Sequence, residues 1–154
     1  MARLIPLRDV IDDGLSVFFD SNTLINWFKQ KDVRSPLRDS IVSIAFNKRF
    51  TTELVAWEFF HPLGVKKEEI KERKKWLEDN QIRILQKIPS GYIQTFLSLL
   101  KLPNSRGDAI DAALAAHSIA HNSPCVVVTI NGKHFCWHNN ISVITDFLPS
   151  DSCE

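Results

Sequence analysis

Hydrophobic and polar positions along the chain follow two periods, one typical of buried strands and one typical of amphipathic helices. Leu15–Phe19 and Cys125–Thr129 are short apolar runs rich in β-branched and aromatic residues, the pattern of strands covered on both faces. Ile141–Ile144 predicts a final strand, and Ile82–Ile88 predicts a strand at the edge of the sheet. Longer stretches separate these runs and have helical spacing.

The stretches between the runs place apolar residues three and four positions apart. The predicted helices are Thr23–Phe28, Pro36–Lys48, Thr51–Phe60, Tyr92–Leu100 and Asp108–His121. Strands that alternate with helices predict an α/β fold, in which a parallel sheet is flanked by helices in three layers. At 154 residues we expect a single domain, residues 1–154, with its core at about residues 15–148.

Composition limits the cellular setting and the partners. The net charge of +1 gives no overall attraction to nucleic acid, so any basic surface must be local. No window contains the roughly 18 apolar residues that span a membrane, so we expect no membrane association. Cys125, Cys136 and Cys153 form an odd and scattered set, which predicts no disulfide framework and a cytoplasmic protein.

Four carboxylates occupy positions where a parallel α/β fold would gather acids. Asp20 ends the first apolar run, Glu58 lies within a predicted helix, and Asp108 and Asp111 open the Ala-rich helix. Ligands of open α/β sheets bind beyond the carboxyl ends of the strands, and helix starts favour anions. Taken singly, each acid has a structural explanation as a cap, a turn residue or an exposed side chain. Together, oxygen ligands of this kind favour Mg²⁺ or Mn²⁺ over zinc, and such an ion indicates phosphodiester chemistry.

Glu58 decides between these interpretations. Its neighbours Trp57, Phe59 and Phe60 predict that little of this helix faces solvent. A carboxylate among large apolar groups needs a cation or hydrogen bonds. Glu53, near the start of the same helix, is expected to be exposed.

These pieces, in this order, resemble the PIN-domain ribonucleases and among them the VapC-like toxins. The matching segments are Val17–Thr23, Thr52–Phe59, Asp108–Ala115, Val127–Phe135 and Ile141–Leu148. The resemblance implies an endoribonuclease that uses Mg²⁺ or Mn²⁺ to hydrolyse RNA. It also implies a homodimer and a small antitoxin protein as partner.

The resemblance makes Asp20, Glu58 and Asp108 the catalytic and metal-binding acids. It also implies that Asn22 supports Asp20 and that Thr129 holds the site by hydrogen bonding.

A fourth acid is expected in this family two residues after that threonine, where this chain has Asn131. An asparagine can coordinate or donate but brings no charge, so Asp111 becomes the candidate for the missing carboxylate. Arg106 and Lys133 flank the site in sequence and are either phosphate contacts or solvated loop charges.

Two other functions remain open. Asp20-Ser-Asn22-Thr23 is similar to the strand-terminal motif of haloacid-dehalogenase-type phosphatases, although that family has an aspartate where this chain has Asn22. The chain also fits a catalytically weak PIN-like binding or scaffold module, because Asn131 removes one acid.

Zinc is a weaker possibility. One set of histidines is spaced i, i+4 on a helix (His117 and His121), and His134, Cys136 and His138 alternate further on. Packed or surface histidines are the commoner explanation, so we expect no stoichiometric zinc.

Overall fold

The computed structural model describes residues 2–61, 64–86, 90–101, 109–121, 125–137, 140–149 and 153. One six-stranded sheet has the order β1-β6-β5-β2-β3-β4, and every neighbouring pair is parallel. The strands are β1 (Arg3–Ile5), β2 (Ser16–Phe19), β3 (Arg49–Thr52), β4 (Arg83–Leu85), β5 (Cys125–Val128) and β6 (Ser142–Ile144). The helices are α1 (Leu7–Asp12), α2 (Ser21–Lys29), α3 (Pro36–Asp39), α4 (Glu53–Phe60), α5 (Lys67–Asp79), α6 (Tyr92–Leu100) and α7 (Ala109–Ala120). The predicted α/β fold with a parallel sheet is confirmed.

The core lies on both faces of the central strands. Every residue of β2 and β3 is buried, as expected for parallel strands covered on both faces. Helix α7 packs against β3, β5 and α6, and its residues Ala113, Ala115 and Ala116 are all buried. The core also includes Ile5, Leu7 and Val10, because β1 pairs with β6 at one edge of the sheet.

The predicted helix Pro36–Lys48 is wrong. Only Pro36–Asp39 is α-helical, and two 3₁₀ turns follow, Ser40–Ser43 and Phe46–Lys48. The buried guanidinium of Arg49 takes the carbonyls that a longer helix would have used: it donates to Ile44 O at 2.9 and 2.7 Å and to Val42 O at 2.9 Å. Arg49, which comes directly after the predicted helix in sequence, therefore replaces the backbone amides that would have bonded these carbonyls, and the α-helix ends at Asp39.

The expectation that the cysteines form no disulfide framework is also wrong, because Cys136 and Cys153 form a disulfide with a Cα–Cα distance of 5.5 Å. The two residues are 17 positions apart in sequence, which gave no sign that they meet. Cys136 is buried in the core, and Cys153 packs against it. Within the segments that the structure describes, no helix is long and apolar enough to cross a membrane.

Candidate acidic site

The carboxyl ends of β2 and β5 bring Asp20 and Thr129 together. Phe19 and Val128 are partners in the register of these parallel strands, so the next residue of each strand lies at the same edge of the sheet. Thr129 Oγ1 donates to Asp20 Oδ2 at 2.7 Å. Asp20 is also the N-cap of α2, because its Oδ1 accepts from the backbone amide of Thr23 at 2.9 Å.

Asp20 is only 1% exposed, and burial is the largest influence on its ionisation. Burial raises the pKa of Asp20 above its ordinary value, although hydrogen bonds from Thr23 and Thr129 and the charge of His134 act in the opposite direction. A cation beside this carboxylate would favour its ionised form and offset the cost of burial. Asp20 therefore has a physical reason to bind a metal ion, in addition to its role as a helix cap.

Ser21 connects Asp20 to Glu58, the two predicted metal-binding acids whose side chains the structure describes. It directly follows Asp20, is buried, and donates from Oγ to Glu58 Oε1. Glu58 is half-buried, on α4, which packs against α2. The aromatic surroundings expected for Glu58 are present on one side only: Phe59 is buried, whereas Trp57 is 61% exposed. The hydrogen bond from Ser21, rather than burial among aromatic rings, fixes this carboxylate.

The loop after β5 is bonded to the first turn of α2. Ile130 donates its backbone amide to Thr23 Oγ1 at 2.9 Å, and Asn131 donates its backbone amide to Thr129 Oγ1 at 2.9 Å. Thr129 therefore donates to Asp20 and accepts from Asn131 with the same hydroxyl. The position of the expected fourth acid is tied through this threonine to the buried aspartate.

The remaining residues of the predicted site have different placements. Asn22 is exposed on the first turn of α2, and Thr23 and Thr129, not Asn22, are hydrogen-bonded to Asp20. Lys133 is exposed in a 3₁₀ turn after β5, and Glu53 is exposed as expected.

Two of the predicted residues, Asp108 and Arg106, lie outside the described residues. Asp111 belongs to α7, and its side chain also lies outside them.

Sequence reasoning gave no role to Ser21 or Thr23 and considered His134 only for zinc. The available signal was the pair of hydroxyl residues that directly flank Asn22 after a strand-terminal aspartate. Such residues are typical partners of helix-start groups. The other zinc candidates have other neighbours: His117 and His121 lie 5.7 and 5.5 Å from the ring of Phe18.

The donor atoms fit a hard divalent cation. Among the described residues, no three His, Cys, Asp or Glu side chains form a group that could hold a metal ion. Asp20 and Glu58 supply two carboxylates, and both oxygens of Asp20 and Oε1 of Glu58 keep a second lone pair after accepting these hydrogen bonds. Carboxylates and hydroxyls are the ligand types that Mg²⁺ and Mn²⁺ prefer.

Comparisons with known proteins bear on the fold and the family of this chain. A search of curated proteins found no match. A solved structure, "Crystal Structure of FitAcB from Neisseria gonorrhoeae", aligns over 85% of this chain and 98% of the matched chain with a TM-score of 0.59. At 13% identity this similarity shows the fold alone. A family model described as "PIN domain" matches residues 17–136, which is more than half of the chain and includes Asp20, Glu58 and Asn131. The chain therefore belongs to the PIN domain family.

Proposed function

We propose that this protein is an endoribonuclease of the VapC-like subgroup that depends on Mg²⁺ or Mn²⁺. The observation that carries the proposal is the buried carboxylate of Asp20, which is held by two hydrogen bonds beside the Ser21–Glu58 pair. Family membership favours this function over a phosphatase of the haloacid dehalogenase type. A scaffold function is an outcome that the experiment below distinguishes.

The proposed site uses Asp20, Glu58 and Asp108 to hold the ion, with Asp111 or Asn131 as the fourth ligand. When bound, such an ion lowers the pKa of water and neutralises charge on phosphate oxygens. The chain's own residues orient the acids: Thr23 and Thr129 fix the two oxygens of Asp20. During hydrolysis the water oxygen bonds to phosphorus and gives up a proton, the bond from phosphorus to one ribose oxygen breaks, and that oxygen takes up a proton in turn.

The decisive experiment measures cleavage of RNA by wild type and Asp20→Asn, with Mg²⁺ or Mn²⁺ and with a chelator. We expect chelation to abolish cleavage and Asp20→Asn to reduce it by about a hundred-fold or more, since a ligand charge is lost. Asp79→Asn is the matched control, because it removes an exposed carboxylate from α5. Cleavage that survives chelation would contradict the proposal. Absent cleavage by a folded wild type would favour the scaffold function.

Lys133 and Arg106 are proposed to contact substrate phosphates. Lys133 is exposed in the turn that follows Asn131. We expect Lys133→Ala to weaken RNA binding and to reduce the slope of log affinity against log salt by about 0.7, the value for one contact with a single strand. Lys75→Ala removes another exposed lysine, on α5, and is the control. Equal slopes for the two variants would dismiss the contact.

Two further proposals come from the resemblance, a small antitoxin partner and a homodimer, and a third, a cytoplasmic location, comes from the composition of the sequence. Helix α6 offers a surface for the dimer, because Ile93, Leu97 and Leu100 are exposed on one face. Light scattering after gel filtration should give twice the chain mass for wild type and the monomer mass for Leu97→Glu. Gln94→Glu, which adds the same charge at an exposed polar position of α6, should stay dimeric. A monomeric wild type would refute the dimer.

A further inference from the structure

A short turn follows the threonine that bonds Asp20, and it carries two basic side chains. The turn is the 3₁₀ segment Gly132–His134, in which Lys133 is exposed and His134 is half-buried. The indole Nε1 of Trp137 donates to the carbonyl of His134 at 2.7 Å. This hydrogen bond holds the backbone of His134 in place and so limits where its imidazole can lie.

The imidazole of His134 contacts the residue that replaces the fourth acid. Asn131 Nδ2 lies 3.1 Å from His134 Nε2 and 3.3 Å from Nδ1. Asn131 in turn donates its backbone amide to Thr129, which donates to Asp20. The charge of His134 is also felt at Asp20, where it lowers the pKa. The imidazole thus lies beside the acidic site.

An amide in place of a carboxylate changes what this side of the site can bind. A carboxylate next to the imidazole would repel a phosphate oxygen, whereas the neutral amide of Asn131 does not. Asn131 Nδ2 can only donate, so the ring nitrogen that it bonds accepts, and the N–H of the other ring nitrogen can donate to an anionic oxygen. The imidazole of His134 is therefore suited to contact a phosphate oxygen of the substrate.

We propose that His134 binds the substrate by donating a hydrogen bond from its ring to a non-bridging oxygen of the phosphodiester that is cleaved. This inference rests on the proposed ribonuclease function and adds a substrate-contacting residue to it. This hydrogen bond does not require a carboxylate at position 131. The site can therefore bind the phosphodiester through His134 although Asn131 replaces the fourth acid.

Single-atom substitution in the substrate tests this contact. RNA oligonucleotides carry one phosphorothioate, as the separate Rp or Sp isomer, at the bond that wild type cleaves in Mn²⁺. Sulfur accepts hydrogen bonds weakly, so for one isomer we expect wild type to lose about ten-fold in rate, which corresponds to one hydrogen bond. In His134→Ala the all-oxygen substrate should already be cleaved about ten-fold more slowly, with little further loss from sulfur. His134→Gln, which keeps an N–H donor, should have a cleavage rate and a sulfur effect between those of wild type and His134→Ala.

Two controls separate this contact from a structural role. The affinity and stoichiometry of Mn²⁺, measured by electron paramagnetic resonance, should be the same in wild type and His134→Ala. His61→Ala removes an exposed imidazole that stacks on Trp57, and it should retain both the cleavage rate and the sulfur effect of wild type.

Each other outcome overturns the inference. Equal sulfur effects in wild type and His134→Ala, for both isomers, would show that the imidazole does not contact the phosphate. Weaker Mn²⁺ binding by a folded His134→Ala would make His134 a ligand of the ion instead. Failure of wild type to cleave the all-oxygen RNA would overturn the proposed function together with the inference. Cleavage by wild type with an unchanged sulfur effect in His134→Ala would overturn the inference alone.

Discussion

Replacement of Thr129 by valine tests whether one hydroxyl organises the candidate site. Thr129 Oγ1 donates to Asp20 Oδ2 at 2.7 Å and accepts from the backbone amide of Asn131 at 2.9 Å. Thr129 is fully buried and Asp20 is 1% exposed, so water does not readily replace the hydroxyl. Valine keeps the shape of the side chain and removes both hydrogen bonds.

The expected loss follows from the two partners that remain. An unsatisfied buried group costs about 1–3 kcal/mol, with the larger values for charged groups such as the Asp20 carboxylate. The amide of Asn131 is half-buried and adds about 1 kcal/mol. We therefore expect Thr129→Val to lower the free energy of unfolding of the metal-free protein by about 2–4 kcal/mol at neutral pH.

Urea unfolding measures this loss, and Thr129→Ser is the matched control. Serine keeps the hydroxyl and removes one buried methyl group, which costs about 1 kcal/mol. A second measurement repeats the comparison in the Asp20→Asn background, where the charge is absent and the penalty for valine should be smaller. If Thr129→Val is as stable as Thr129→Ser in the wild-type background, the hydroxyl does not support Asp20 and the reasoning fails.

Three other predictions follow from burial and charge. The pKa of Asp20 is raised above 3.8, so the metal-free protein should lose stability as pH rises through that raised pKa. At neutral pH, Mn²⁺ at a hundred times its Kd should add about 2.7 kcal/mol to the free energy of unfolding. An unchanged melting temperature in Mn²⁺ would contradict a metal site. Burial, and secondarily the charge of His121, lower the pKa of His117 below 6.5, so stability should be complete above pH 6.5 and decline below it; urea unfolding of His117→Phe should show a smaller decline. Cys153→Ser should lower the free energy of unfolding by about 3 kcal/mol under oxidising conditions, because the disulfide closes a 17-residue loop, and should equal wild type when both are reduced. Equal stability of wild type and Cys153→Ser under oxidising conditions as well would exclude the disulfide.

The sequence predicted the elements with strong patterns and missed those that tertiary contacts decide. Helix α6 has the predicted bounds, because its apolar spacing is regular. Strand β1 is three residues long and two of them are exposed, so it has no readable pattern and forms only because β6 offers a partner. For strand β3, the sequence pattern instead places Thr51 and Thr52 at the start of the following helix, because two threonines are typical of a helix cap.

The threonines of β3 show why such an assignment is half right. Thr52 does cap α4, with Oγ1 accepting from the amide of Val55 at 3.4 Å, while it also ends the strand. Thr51 donates to the carbonyl of Phe19 at 3.0 Å and so ties β3 to the end of β2. The chemistry of the residues was readable, but the partner 32 positions away was not. The same limit applies to the link from Ser21 to Glu58.

The first turn of α2 explains how so short a stretch can organise the site. Asp20, Ser21 and Thr23 each bond a different part of the chain: the end of β5, helix α4 and the loop after β5. These bonds are made by groups whose positions the helix start already fixes, so the acids are oriented before any ion or substrate arrives. Position 131 lies outside this turn, and Thr129 links it to Asp20 by hydrogen bonds. An asparagine there changes the charge of the site without removing the contacts that hold Asp20 and Glu58, because residue 131 bonds Thr129 through its backbone amide.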